Sequence, residues 1–246
     1  MTVVLYEKRP PIAVITLNRP EALNAMNTQL IVAFEEAMAD FNSDPSLKAA
    51  VLTGAGRAFS AGHDTKEPSA RDAYGGSISP LGGMHKILEP FTFKPLVGAI
   101  QGWCVGHGLD WALHCDALVA SEDALLSLPE VTIGLSAGFV WDNMPHVSST
   151  GNGMQMLLTG DPLSAKQAYR LGIVQKVVPI EALMSAATSM AESFSRLDTN
   201  AAENIKRAAY FWRNLLLEEC GKLGSAYLDA IRAQPERPAG SGSNGG

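Results

Sequence analysis

Two short apolar runs open the chain, VVLYE (3–7) and IAVITL (12–17), rich in β-branched residues and separated by a proline-containing turn. That pattern predicts a β-hairpin. NRPEALNAMN (18–27) reads as a loop. The period then lengthens: Leu30, Phe34, Met38 and Phe41 recur at helical spacing, with Asn27 or Thr28 as the cap. AAVLTG (49–54) reads as a buried strand that runs into the glycine-containing loop GAGRAFSAGHD (54–64). KPLVGAI (94–100) is the next strand, and a glycine turn after it opens a helix over LDWALHCD (109–116). ALVA (117–120) and ALLS (124–127) follow as short strands, and PEVTIGL (129–135) leads into a second glycine-bearing loop. From residue 151 onward the pattern is almost wholly helical: SAKQAYRLG (164–172) ends on a glycine, and further helices are predicted over 180–196 and 199–231.

Strands separated by helices imply crossover connections in a largely parallel sheet, hence an α/β fold. The Gly-, Ser- and Pro-rich stretch 68–83 is the best candidate for a mobile loop, with a helix predicted over 84–91. A chain of 246 residues is long enough for one α/β domain with a small appendage. Its last residues, PERPAGSGSNGG, have the composition of a disordered tail.

Composition narrows the function without naming it. A net charge of −6 and no visible basic patch argue against a nucleic-acid surface, while a small anionic ligand held by a few amides remains open. Cys104, Cys115 and Cys220 form neither a CxxC pair nor a metal spacing, which reads as three reduced thiols in a cytoplasmic protein. The start, MTVVLYEKRPP, lacks the basic-then-apolar order of a signal peptide. The most apolar stretch, 95–120, carries His107, Asp110, His114 and Asp116, so it is core rather than a membrane span. Within it CVGHGLD (104–110) sets a histidine between two glycines, with an aspartate three residues behind.

FSAGHDTKE (59–67), KPLVGAIQGWCVGHGLDWALHCDALVA (94–120), LPEVTIGL (128–135) and LTGDPLSAKQAYRLGIVQKVV (158–178), with ITLNRPEALNAMN (15–27), stand in one order and spacing. Together these segments resemble the crotonase superfamily, the enoyl-CoA hydratase/isomerase family, over roughly residues 3–200. The resemblance implies a ClpP/crotonase-like ββα spiral with two nearly perpendicular sheets and a helical C-terminal region. It divides the chain into a core over 1–195, a C-terminal helical oligomerisation region over 196–234 and a tail over 235–246. It further implies a homotrimer or a hexamer built as a dimer of trimers, an acyl-CoA substrate, and no metal or redox cofactor, coenzyme A being part of the substrate.

What the family does is stabilise a thioester enolate, whose negative charge gathers on the carbonyl oxygen. Two fixed backbone N–H donors answer that need. Carried over residue by residue, the donors are the amides of His63 and His107, with Gly106 and Gly108 permitting the turn. At position 107 the family's usual residue is glycine, so this imidazole is a departure: it either packs or takes part in proton transfer, and the same choice stands for His63. Glu130 matches the family's principal glutamate. Asp110 matches a second carboxylate, one methylene shorter than the usual glutamate, although an acidic residue in a first helical turn is also favoured by the helix dipole. Such a pair holds a water and moves its protons. Ala61, Gly62, Asp64 and Lys66 fall on the stretch that cradles coenzyme A. Gly138, Phe139 and Trp141 lie where the family has a glycine-rich turn, and the bulk of Phe139 and Trp141 implies a smaller or reshaped acyl pocket. The implied reaction is reversible addition of water to a 2-enoyl-CoA. Isomerisation, decarboxylation, C–C hydrolysis and a non-catalytic acyl-CoA-binding paralogue are the alternatives.

Overall fold

The computed structural model describes residues 2–66, 90–134 and 148–210. Strands β1 (Val4–Arg9) and β2 (Ile12–Leu17) form the expected hairpin, and β3 (Ala49–Gly54) lies parallel to β2 after the crossover helix α1 (Thr28–Ser43). Asn27 caps α1 by accepting a hydrogen bond from the Leu30 amide. From there the chain repeats one move. β3, β5 (Leu96–Ile100) and β7 (Ala117–Ser121) each enter a six-stranded sheet of order β1-β2-β3-β5-β7-β10, with β10 spanning Lys176–Val178. The strand that follows each, β4 (Ala58–Ser60), β6 (Trp103–Val105) or β8 (Leu125–Ser127), enters a second sheet, which β9 (Leu163–Ser164) completes antiparallel to β8. Three successive pairs thus climb side by side through both sheets, which is the spiral the resemblance implied.

The inner strands β2, β3, β5 and β7 of the large sheet are buried on both faces, so they are near-continuously apolar rather than alternating, unlike the exposed edge strand β1. In β3 every residue is buried: Ala50 and Leu52 face the main core with Phe34, Phe41, Phe59 and Trp111, while Ala49 and Val51 face a second cluster. Helix α5 (Leu183–Ser195) closes that second face through Leu183, Ala187 and Ala191, after α2 (His107–Leu113), α3 (Thr150–Thr159) and α4 (Ala165–Arg170). The small alanines let α5 lie close against the strands.

A further helix, 199–210, is fastened by a buried lysine. Lys206 Nζ donates to the Lys94 carbonyl (3.0 Å) and to Asp116 Oδ2 (2.8 Å), and that same oxygen accepts from the Leu96 amide. Lys94 in turn donates through Nζ to the Phe41 and Asp44 carbonyls that end α1. Both cations are therefore structural.

Several expectations are corrected. The region after residue 151 is not wholly helical, since β9 and β10 lie within it. The loop 54–64 contains β4, the loop 18–27 contains the single 3-10 turn Pro20–Ala22, and β5 starts at Leu96 rather than at position 94. The helix expected over 109–116 begins two residues earlier, at His107. Strands of two or three residues owe their existence to neighbours distant in sequence and leave too short a pattern to read. The candidate mobile loop 68–83, most of the helix over 84–91, the helix beyond 210 and the tail lie outside the described residues; Pro90 and Phe91 are not helical.

Candidate active site

The C-terminal ends of β4 and β6 lie side by side, because the two strands pair in parallel. Each runs into a glycine with positive φ, Gly62 (+85°) and Gly106 (+54°). A Cβ on Gly62 would stand 2.8 Å from the Val105 carbonyl and 3.5 Å from the His107 nitrogen, so the two segments approach as closely as glycine allows.

That approach aims two amides at one place. His63 forms a parallel bridge with Met26 in which the Gly62 carbonyl accepts from the Met26 amide (2.7 Å) and the Asp64 amide donates to the Met26 carbonyl (3.0 Å). In a trans peptide N–H and C=O point in opposite directions, so the His63 amide turns away from Met26. His107 is the first residue of α2, where an amide has no intrahelical acceptor. The imidazoles of His63 and His107 lie 4.9 Å apart, centroid to centroid.

Glu130 closes the site from the third spiral turn. It stands in the 3-10 helix Pro129–Ile133 that follows β8, not at a strand end, and only 6% of it is exposed. A Cβ on Gly106 would meet its Oε1 at 2.6 Å, so the carboxyl is packed onto the backbone immediately before the His107 amide. Asp110, three residues along α2 and 4% exposed, interacts electrostatically with Glu130. Burial first and the Asp110 charge second push the Glu130 carboxyl above the ordinary glutamate value. His107 moves the other way, to about 4, chiefly because burial disfavours its cation. It is neutral at physiological pH. His114 donates from Nδ1 to the Asp110 carbonyl (2.9 Å) and stacks on Phe91. Trp111 fills the space beneath, against Phe34 (4.2 Å) and Phe91 (5.6 Å). Among the described residues, His107 Nε2, Trp111 Nε1 and Glu130 Oε2 are buried without a hydrogen-bond partner, as is the Tyr6 hydroxyl in β1.

The raised Glu130 carboxyl has a consequence for pH dependence. If its carboxylate is the working form, activity falls as pH drops through its raised value, so the acid limb of kcat/KM lies above the ordinary glutamate range. A kcat/KM profile from pH 4 to 9 checks this; in Glu130→Gln any residual activity loses that limb.

The other candidates are placed as follows. Ala61 donates its amide to the Leu23 carbonyl. Asp64 pairs with Arg19 (3.0 Å) and accepts from the Lys66 amide (3.2 Å); burial opposes its ionisation, but these contacts outweigh it and hold the carboxyl below the ordinary range. The Lys66 residue is exposed at the rim. Gly108 lies against Ser60. Gly138, Phe139 and Trp141 lie outside the described residues. Cys104 and Cys115 are free thiols; Cys220 is outside the described residues.

Sequence reasoning missed the support beneath the His63 segment. Asn24, in left-handed backbone (φ 54°), accepts from the Arg19 amide and donates to the Ala55 and Ala58 carbonyls. Arg19 reaches both Asp64 and the Ala25 carbonyl.

Residues 7–213 match the family model described as enoyl-CoA hydratase/isomerase. A probable enoyl-CoA hydratase of Rhizobium meliloti (strain 1021) is 34% identical over 218 residues, 88% of this chain and 84% of that protein. The crystal structure of an enoyl-CoA hydratase from Mycobacterium tuberculosis H37Rv superposes with a TM-score of 0.79 at 30% identity, covering 96% of this chain and 98% of that one. A monofunctional enoyl-CoA isomerase from M. smegmatis also superposes, with a TM-score of 0.72 at 28% identity over 87% of this chain and 95% of that one. The chain therefore belongs to the enoyl-CoA hydratase/isomerase family and has its crotonase fold.

Proposed function

We propose that the protein hydrates a 2-enoyl-CoA reversibly. The observation that carries this reading is Glu130, a buried carboxyl packed on Gly106 with Asp110 beside it. One carboxylate is enough to shuttle a proton between carbons; two are suited to holding a water and moving both of its hydrogens. The thioester carbonyl accepts from the His63 and His107 amides, which draws electron density from the β-carbon. The Glu130 carboxylate takes a proton from a water that Asp110 helps to hold, and the hydroxide adds to the β-carbon. The resulting enolate is stabilised by the two amides until the proton is returned to the α-carbon. The neutral His107 imidazole supplies no charge to this sequence. Coenzyme A runs past Ala61, Gly62 and Lys66 and is part of the substrate, and the chemistry is assigned to the chain's own groups without a metal or redox cofactor.

Among the described residues no helix is long and apolar enough to cross a membrane. A cytoplasmic homotrimer or dimer of trimers is part of the same proposal. Mass analysis of products across a panel of enoyl-CoA thioesters tests the reaction. Products heavier by one water support it. Asp110→Asn is expected to slow hydration by about ten- to a hundredfold without abolishing it, since the pair loses one acceptor but keeps Glu130. Substrates that all return unchanged, or only rearranged, would contradict hydration.

A further inference from the structure

Ser60, the last residue of β4, has no exposed surface and touches both donor segments at once. Its Oγ accepts from the Gly62 amide (3.1 Å) and donates to the Asn24 carbonyl (2.9 Å). On its other side, a Cβ on Gly108 would lie 2.7 Å from Ser60 Cβ and 2.8 Å from Oγ. Gly62 directly precedes His63, and Gly108 directly follows His107. One hydroxymethyl group therefore ties down the first segment by hydrogen bonding and is the surface on which the second rests.

We infer that Ser60 is a positioning residue: it sets the separation of the His63 and His107 amides and so the polarisation of the bound thioester carbonyl. This role rests on the reading of those amides as the oxyanion donors. The residue type fits the task. Alanine would leave the Gly62 amide and the Asn24 carbonyl unpaired in a buried place, freeing the first segment to shift. Threonine would add a methyl to a junction that already excludes a Cβ at position 108. Donors act on a developing oxyanion only within a few tenths of an ångström of their best position, so a small shift reduces rate more than affinity.

Bound 2,4-hexadienoyl-CoA reports this directly, because its ultraviolet band moves to longer wavelength as the carbonyl is polarised. The measurement is made in a Glu130→Gln background, where the ligand is not consumed. The parent shows the long-wavelength shift on binding. Ser60→Ala keeps its dissociation constant within about threefold but loses more than half of the shift; with Glu130 intact it loses about tenfold in kcat with KM within about threefold. Ser60→Cys, which retains a weak donor and acceptor, recovers part of both. If Ser60→Ala does not fold, Gly108→Ala takes its place: its methyl meets Ser60 and reduces the shift, with the dissociation constant again within about threefold. A full shift in Ser60→Ala, or in Gly108→Ala, overturns the positioning role while leaving the oxyanion reading intact. No shift in the parent overturns the oxyanion reading and this role with it.

Discussion

Glu130→Gln lowers kcat for hydration by about a thousandfold or more while the protein folds at least as well as wild type. Glutamine has the shape of glutamate but neither takes up nor releases a proton, and a well-placed acid/base group contributes about 10² to 10⁴ in rate. The second half of the expectation is the more diagnostic. Glu130 is 6% exposed, its carboxyl is pushed above the ordinary value by burial and by Asp110, and its Oε2 has no partner among the described residues. A carboxyl in such a place is a cost to the fold rather than a support, and a neutral amide relieves it. Turnover measured with a thermal melt checks both halves. A large loss of melting temperature with Glu130→Gln would mean that the residue braces the turn, and undiminished turnover would remove it from the chemistry.

Gly106→Ala produces the second large effect, by a different route. The backbone at Gly106 has φ +54° and ψ −124°, a region that L-residues avoid, and the added methyl falls 2.6 Å from Glu130 Oε1. The conformational strain costs about 1–3 kcal/mol, and displacing the carboxyl or the His107 amide by even one ångström costs about a hundredfold in rate. Gly134 is the control. It too has positive φ (+75°), but a Cβ there meets none of the described residues within 4 Å. Gly134→Ala therefore loses some stability and little activity, whereas Gly106→Ala loses both. Denaturant unfolding with kcat and KM for the two variants separates strain from clash; equal kinetic losses would show that the Glu130 contact is immaterial.

The sequence made legible those parts that depend on long local patterns. β2 and β3 appear at the boundaries read for them, because each opens on four consecutive apolar residues, Ile12–Ile15 and Ala49–Leu52, buried on both faces. α1 was equally plain: Leu30, Phe34, Met38 and Phe41 form its buried stripe and Asn27 its cap. β4, β6, β9 and β10 are two or three residues long and exist by pairing with distant partners, so no window over them carries the information. In the site, the glycines around His63 and His107 were conspicuous as punctuation, and the resemblance attached chemistry to them. What the sequence withheld was contact. Nothing in LPEVTIGL says that Glu130 rests on Gly106, and nothing in FSAG says that Ser60 bonds the Gly62 amide and supports Gly108. The Glu130–Gly106 and Ser60–Gly108 contacts join residues 24 and 48 positions apart, while the Ser60–Gly62 bond is local, two positions apart. Lys94 and Lys206 were invisible for the same reason, their burial depending on carbonyls and a carboxylate from other elements.

The central claim is that Glu130 and Asp110 add water across a double bond conjugated to a thioester held by the His63 and His107 amides. Its most direct test is nuclear magnetic resonance of the product formed from a 2-enoyl-CoA in heavy water. Hydration leaves a hydroxyl on the β-carbon and one solvent-derived deuterium on the α-carbon, both lost in Glu130→Gln. A product without the hydroxyl, its double bond moved to the β,γ position with a proton lost from the γ-carbon and deuterium on the α-carbon, would contradict hydration and assign the same carboxylates to isomerisation.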